Sequence, residues 1–242
     1  MSGISWLAKR PIAHRGYHDL NRTRWENTLS AFEAAAERGF AIECDVHLSR
    51  DGVPVVIHDG ELKRLTGVEG SVFQRTAAEL GALSIGGTAD HIPTLSEMLE
   101  KVAGRVPLVI ELKGIEGKDE GLVAKVATLL DGYRGEAAIM SFDPWLVREF
   151  PKQAPGIPGG LTAMGTSEQD IESHFGMLAY GLSFASYNLD DMPNPFVTFM
   201  RERLSLPVIS WTVRDKIAAD LSAKRADQMT FEGFDPATFA IV

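Results

Sequence analysis

IECDVHLSRDGVPVVIHD, residues 42–59, is the stretch whose reading decides the fold. Its first half alternates. Ile42, Cys44 and Val46 fall on one side of an extended chain, and Glu43, Asp45 and His47 on the other. Two carboxylates on an otherwise apolar strand need compensation, because an unpaired buried charge is costly or is neutralised by a pKa shift. A bound cation is the simplest compensation. Asp51-Gly52 suits a tight turn, so the chain is expected to return through Val53 to Ile57 and deliver His58-Asp59 to a strand end. Carboxylates and an imidazole thus meet by local folding. Cys44, the single cysteine, lies in the apolar phase and reads as a small core residue rather than a nucleophile or ligand.

Outward from this stretch, short apolar strands alternate with amphipathic helices. Residues 10–16 predict a first strand ending at His14, and residues 28–39 a helix with Asn27 or Thr28 as cap and Gly39 as terminator. Further strands are expected over 40–48, 106–113, 137–142, 159–163, 178–186, 207–213 and 228–231, with helices between them. About eight strand–helix units in this length suit a TIM (β/α)8 barrel. The rival is a doubly wound open sheet, which usually carries a Gly-rich phosphate loop after its first strand; none is present. Residues 60–91, with Gly67, Gly70, Gly81, Gly86 and Gly87, read as a small insertion after the second strand. Neither a composition break nor a low-complexity linker divides the chain, so residues 1–242 are expected to form one barrel domain. The final helix is curtailed after Pro236, and the barrel bottom is expected to be thinly covered or completed by a partner.

Of the 242 residues, 45% are hydrophobic, and the mean hydropathy is -0.03, an ordinary globular balance. No apolar run approaches the roughly 18–20 residues of a bilayer span. The first sixteen residues carry no secretory pattern; with the lone cysteine this points to a cytoplasmic protein. A net charge of -9 argues against nucleic acid and against stable membrane association, since both partners call for a positive footprint. A single phosphate group stays compatible, because screening confines exposed charges to about 8 Å.

In a parallel barrel the strand faces are buried, and polar residues near the C-terminal strand ends point to the catalytic mouth. That rule collects His14 with Arg15, Glu43 with Asp45, Glu111 with Lys113, and Trp211, while His58 arrives on the loop after strand two. Glu111 and Lys113 repeat the phase of Glu43 and Asp45. A solvent-facing ion pair on an edge strand is the plain alternative, and the apolar flanks of LVIELK weigh against it. Three carboxylates at one mouth repel by about 4 kcal/mol per pair at ~4 Å and an effective dielectric near ~20. A divalent cation relieves that, and oxygen ligands without a thiolate favour Mg2+ or Ca2+ over zinc. The two histidines, Arg15 and Lys113 then supply proton transfer and anion binding, a set suited to phosphoryl transfer.

The chain also resembles the glycerophosphodiester phosphodiesterase family. The resemblance is carried by His14-Arg15-Gly16, Glu26-Asn27-Thr28, Glu43-Cys44-Asp45-Val46, Arg50-Asp51-Gly52, Val55-Val56-Ile57-His58-Asp59 and Leu62-Lys63-Arg64-Leu65-Thr66-Gly67. It continues through Ile92-Pro93-Thr94-Leu95, Glu111-Leu112-Lys113, Ser141-Phe142 and Trp211-Thr212-Val213. Singly these are weak; in this order they are specific and span most of the chain. The resemblance implies a TIM barrel with a small insertion, and hydrolysis of small glycerophosphodiesters to an alcohol and sn-glycerol 3-phosphate. It implies Glu43, Asp45 and Glu111 as holders of one divalent cation, His14 and His58 as the acid/base pair, and Arg15 and Lys113 as phosphate contacts. Trp211 is read as a wall for the glycerol or leaving group, or equally as interior packing. The glycerol hydroxyl beside the ester is expected to attack phosphorus, with attack by water left open.

Three departures from the family pattern bear on headgroup preference: Trp25 in place of a proline, Arg214 in place of an asparagine, and Thr230-Phe231, then Glu232, where Thr-Asp is usual. His47 is expected to meet solvent or support the ligands from behind. His18 reads as a surface-loop residue, with help in substrate binding as its alternative, His91 and His174 as structural or exposed, Trp6, Trp25 and Trp145 as packing or rim, and Tyr17 as a minor candidate for the pocket wall. Two other functions were weighed. A lysophospholipase D-like or sphingomyelinase D-like enzyme would show an apolar rim, of which residues 81–87 offer little. A non-catalytic phosphoester-binding barrel is disfavoured by the presence of both histidines and all three carboxylates. The oligomeric state is left open, an oligomer being allowed.

Overall fold

The structure, a computed structural model, describes residues 4–238. In chain order its principal elements are β1 (Ile12–Ala13), α1 (Leu29–Arg38), β2 (Ala41–Leu48), β3 (Pro54–Val56), α2 (Lys63–Thr66), α3 (Ala77–Gly81), α4 (Leu95–Val102), β4 (Leu108–Leu112) and α5 (Leu122–Asp131). There follow β5 (Ala137–Ser141), α6 (Pro144–Gln153), β6 (Gly159–Ala163), α7 (Glu168–Met177), β7 (Phe184–Asn188), α8 (Pro195–Glu202), β8 (Val208–Val213), α9 (Lys216–Arg225) and β9 (Gln228–Phe231). Eight of the strands pair in parallel, in the order β1-β9-β8-β7-β6-β5-β4-β2, and a β1–β2 pairing closes the ring. This is the expected (β/α)8 barrel. β3 is the exception: it returns antiparallel on β2, with Val56 opposite Val46. Gly52 makes that return with φ +73°, a left-handed conformation that glycine adopts without steric cost.

Local chemistry accounts for the boundaries. Thr28 caps α1 by accepting from the Ala31 N–H, and Gly39 ends the helix at φ 72°. Thr94 and Glu97 form a reciprocal capping box at the start of α4. Residues 178–183 were expected to be strand, but Leu178–Tyr180 form a 3-10 turn that prolongs α7 until Gly181 stops it at φ 70°. A short apolar run carries no period, so tertiary packing decided this case.

The two phases of β2 separate as expected. Ile42, Cys44 and Val46 join Ile110 and Leu112 under the helices, against Leu95, Met98, Leu122 and Val126. The inward phase is apolar only low in the barrel, where Ile12, Ala41, Val109, Ala138, Met140, Phe184 and Ile209 cluster. Gly160 leaves space for the Phe184 ring; a Cβ there would lie 2.3 Å from the ring's Cζ. Ile4, Trp6 and Leu7, in and beside a 3-10 turn at Ser5–Ala8, pack onto the same interior cluster. Residues 4–7 therefore cover part of the barrel bottom from ahead of β1. Trp6 is a packing residue, as expected.

Residues 60–91 hold α2, α3 and a 3-10 turn at Val72–Gln74. Leu62, Leu65, Val72, Leu80 and Ile85 form a small core with Val55 and Ile57 on the return strand, and Trp25 packs against it. Among the described residues, no helix is long and apolar enough to cross a membrane.

Candidate active site

The inward phase of the strands changes character toward their C-terminal ends. Glu43 and Asp45 on β2 and Glu111 on β4 are all buried, and the register sets Asp45 directly beside Glu111. One oxygen from each of the three lies within 4.8 Å of the others. Positive groups surround them unevenly. Lys113 Nζ pairs with Glu111 and lies 3.0 Å from Asp45 Oδ1, while Arg15 Nε is 3.3 Å from Asp45 Oδ2. Asn27 adds a 2.8 Å hydrogen bond to Asp45. Burial alone would raise the Asp45 pKa, but Lys113 and Arg15 outweigh it and hold the carboxyl well below its usual range.

Glu43 is not compensated in this way. Its Oε2 accepts from the Arg15 backbone N–H at 2.8 Å, while its Oε1 is buried with no hydrogen-bond partner. Burial, then repulsion from Asp45 and Glu111, pushes its pKa well above 4.5. Burial likewise lifts Glu111 to about 7, despite the pull of Lys113. Side chains alone thus leave negative charge under-neutralised in an all-oxygen donor set with one orphaned oxygen. That arrangement fits a hard divalent cation.

Two imidazoles flank the triad. His14 follows β1, and its Nδ1 sits 2.5 Å from Glu232 Oε2; its Nε2 lies 3.9 Å from Glu43. His58 follows β3, with Nδ1 2.7 Å from Asp59 Oδ1. Arg64 holds Asp59 down at about 2 against the opposing effect of burial, and His14 with Arg214 does the same for Glu232, which stays low. Ionised carboxylates only accept, so each Nδ1 donates and each Nε2 keeps its lone pair. Burial pushes both imidazoles below 6.5, leaving them neutral at pH 7. The supports form matching chains: Arg214 Nε donates to Glu232 at 2.8 Å, and Arg64 donates to both Asp59 and Glu26. Glu26 also accepts from Arg15 at 2.8 Å, which ties Arg15 to the same network.

The structure brings every site residue expected from the sequence to one cavity. His14, Arg15, Glu43, Asp45, His58, Glu111, Lys113 and Trp211 line it together with Phe142, Thr162, Ser186, Arg214 and Thr230. Its volume is about 190 Å3. A larger hollow of about 780 Å3 opens at the opposite end beside Trp6 and Pro158, but it carries no comparable cluster of ionisable groups.

Several readings need correction or narrowing. Of the two readings of His47, the supporting one holds: it is buried and donates from Nε2 to the His58 carbonyl at 3.0 Å, steadying the His58 backbone. His18 is also buried, 3.8 Å from Glu232, and is not a surface residue. Tyr17 packs edge-on against Phe40 and does not line the cavity. The sequence assigned no catalytic-support role to Glu26 or Arg64, placed Asn27 only as a possible helix cap, and placed Glu232 only among the departures near the mouth. Glu26-Asn27 carried one usable signal, as polar residues ahead of a helix already capped by Thr28. Nothing in the sequence pairs Glu232 with His14, because the two meet across 218 positions.

A closed parallel barrel with a buried acidic triad and two carboxylate-bound imidazoles at its C-terminal mouth defines the class: a barrel built for phosphoester chemistry. Residues 14–234 match the glycerophosphoryl diester phosphodiesterase family, and the chain belongs to that family. YhdW of Bacillus subtilis (strain 168) is 33% identical over 233 residues, covering 89% of this chain and 91% of its own. The glycerophosphodiester phosphodiesterase of Caldanaerobacter subterraneus subsp. tengcongensis is 36% identical over 160 residues, 62% of this chain and 65% of its own. Among solved structures, an Oleispira antarctica phosphodiesterase in complex with the product sn-glycerol-3-phosphate superposes with a TM-score of 0.78 at 25% identity. That match covers 92% of each chain. The protein is accordingly a glycerophosphodiester phosphodiesterase.

Proposed function

We propose that the chain hydrolyses glycerophosphodiesters to an alcohol and sn-glycerol 3-phosphate, using Mg2+ or Ca2+ and two histidines as acid and base. One observation carries this reading: two imidazoles, each tied through Nδ1 to an anchored carboxylate, share a cavity with three clustered, buried carboxylates. Glu43, Asp45 and Glu111 would hold the cation, which supplies positive charge to the nonbridging oxygens of the diester. Arg15 and Lys113 supply the remainder from the chain itself.

One imidazole takes the proton of the attacking oxygen, either the substrate hydroxyl beside the ester or a water. As the new P–O bond forms, the P–O bond to the alcohol breaks, and the other imidazole, protonated, gives its proton to the departing oxygen. If the substrate hydroxyl attacks, the product is a cyclic phosphate, which water opens with the proton roles exchanged. Both imidazoles then return to their starting states. The bound diester anion raises the pKa of the imidazole it touches, so a group neutral in the free protein is charged when needed. Trp211 and Phe142, edge-to-face at 5.4 Å, make an apolar wall beside this centre.

Release of sn-glycerol 3-phosphate from glycerophosphocholine, with and without EDTA, tests the proposal. Release that stops with EDTA and returns with Mg2+ or Ca2+ is expected. Undiminished release in EDTA sinks the cation, and no release under any condition sinks the substrate class.

A second reading is favoured by one observation. Leu20, Phe142, Trp145, Met164 and Ile217 are exposed on segments that follow barrel strands, on the side of the mouth. These exposed apolar side chains lie outside the insertion, and an apolar tail on the substrate of a lysophospholipase D-like activity would have them to contact. The small cavity ranks it second. Cleavage of lysophosphatidylcholine at a rate matching glycerophosphocholine would reverse that order.

A further inference from the structure

The segment between β1 and α1 meets the end of β9 at three successive positions, and one meeting leaves a buried donor unused. The Tyr17 ring lies 6.2 Å from that of Phe231. His18 lies beside Glu232, with Nε2 3.8 Å from Oε2. Leu20 covers Gly233, where a Cβ would come within 3.2 Å of its Cδ2. His18 is 6% exposed and does not line the catalytic cavity. Its Nδ1 accepts the Leu20 backbone N–H at 3.1 Å, an approach made by left-handed φ angles of 61° at Leu20 and 59° at Asn21. Asn21 fixes this turn, giving a hydrogen bond to Glu26 Oε2 at 2.6 Å and accepting the Glu26 N–H at 2.7 Å. An imidazole that accepts at Nδ1 carries its proton on Nε2. That N–H is buried and has no hydrogen-bond partner. Buried donors in native proteins are nearly always paired, because an unmade bond forfeits solvation without return.

The acceptor beside it, Glu232 Oε2, is the same oxygen that holds His14 Nδ1 at 2.5 Å. The gap is too narrow for a bridging water, whose two hydrogen bonds of about 2.8 Å would span roughly 4.5 Å. A small rotation of ring and carboxylate closes it directly. Glu232 has the capacity, since an ionised carboxylate accepts about four hydrogen bonds and Arg214 Nε occupies only Oε1. We propose that His18 is a positioning residue for the hydrolysis: its Nε2–H bonds to Glu232 Oε2 and, with Arg214 on Oε1, fixes the carboxylate that orients His14. This rests on the glycerophosphodiesterase reading of the site and deepens it. Arg214 is a largely exposed anchor, His18 a buried one. Holding both oxygens stops the carboxylate from turning, and so keeps the Nδ1 proton and ring plane of His14 in place while its Nε2 exchanges a proton with substrate.

Two variants test this in glycerophosphocholine cleavage by the Mg2+-loaded protein. His18→Phe keeps a ring and removes the donor. It is expected to lower kcat by roughly 10-fold, the low end for one hydrogen bond to a charged group, with KM within about 2-fold. His18→Gln returns an N–H near the place of Nε2 and should bring kcat to within about 3-fold of wild type. In a Glu232→Ala background, His18→Phe should cost less than about 2-fold, because a residue acting through Glu232 has nothing left to act on. An undiminished kcat in His18→Phe, a loss expressed in KM alone, or the same fold-loss with and without Glu232 overturns the proposal. Should His18→Phe fail to fold, the wild type still decides. Imidazole 15N spectra of the metal-free protein should show His18 protonated at Nε2, and an Nδ1–H tautomer overturns the assignment whatever the activity. A wild type that releases no sn-glycerol 3-phosphate tells instead against the underlying reading, and the 15N result is independent of it.

Discussion

His14 and His58 reach one cavity from different strands, and each is held the same way: imidazole to carboxylate to arginine. Replacing either histidine with alanine is expected to lower kcat by about 10²–10⁴-fold while the circular dichroism spectrum stays native. Near-normal turnover in either variant would refute the acid/base assignment. Glu232→Gln keeps the shape but no longer demands a proton on Nδ1. It is expected to lower kcat by roughly 10-fold or more with little effect on KM, since a carboxylate-to-amide change beside a catalytic imidazole favours the wrong tautomer. A rise in KM alone would contradict that role. Burial lowers both imidazole pKa values, so the base stays neutral to below pH 6.5. The acid limb of kcat/KM should therefore fall below pH 6.5, and a limb above pH 7 argues against either histidine as base. At this scale the sequence revealed the histidines of the cavity but not the groups that hold them. The residue identity and strand phase of His14 are local facts, whereas its contact with Glu232 exists only once the barrel closes.

At the scale of elements, β2 and β4 lie side by side and their register forces like charges together. In the metal-free protein Glu111 has a folded pKa of about 7 against an ordinary 4.5, raised chiefly by burial. A carboxyl raised on folding contributes stability that is present below the ordinary value and lost as pH rises through the folded value. Metal-free protein should thus lose stability between about pH 4.5 and 7, and added Mg2+ or Ca2+ should raise the melting temperature more at pH 8 than at pH 5. At one hundred times its dissociation constant a cation adds about 2.7 kcal/mol. A cation-induced shift independent of pH would count against these ligands. Glu43→Gln is expected to weaken cation binding by calorimetry and to stabilise the metal-free protein, because it removes an uncompensated charge. The alternation of β2 and the Asp51-Gly52 return were legible in advance, since both depend on neighbouring residues. The 3-10 turn at Leu178–Tyr180 was not, because a short apolar run suits strand and helix end alike.

At the scale of the whole molecule, the barrel has an apolar floor and a charged mouth. The floor is partly plugged by Ile4, Trp6 and Leu7 from ahead of the first strand. Trp6→Ala is expected to destabilise the fold by about 3–5 kcal/mol in denaturant titration, as for other large core truncations, with kcat/KM near wild type at 25 °C. A large loss of activity in a fully folded Trp6→Ala protein would show that the plug couples to the mouth. The eight-unit rhythm predicted the barrel, but the partner of its open bottom could not be read from that rhythm. A plug has no period; it is defined by the hole it fills.

By itself the sequence determined the barrel class, the phase that turns Glu43, Asp45 and Glu111 inward, and the delivery of His58 by a tight return. These follow from spacing along one chain segment, where side-chain direction is set by backbone geometry. Tertiary structure alone decided which carboxylate steadies His14, that His18 and His47 are buried, and which hydroxyl-bearing residues share a cavity with the acidic triad. Those outcomes depend on ring closure, which brings distant strand ends within hydrogen-bond reach and removes water from the polar groups they carry.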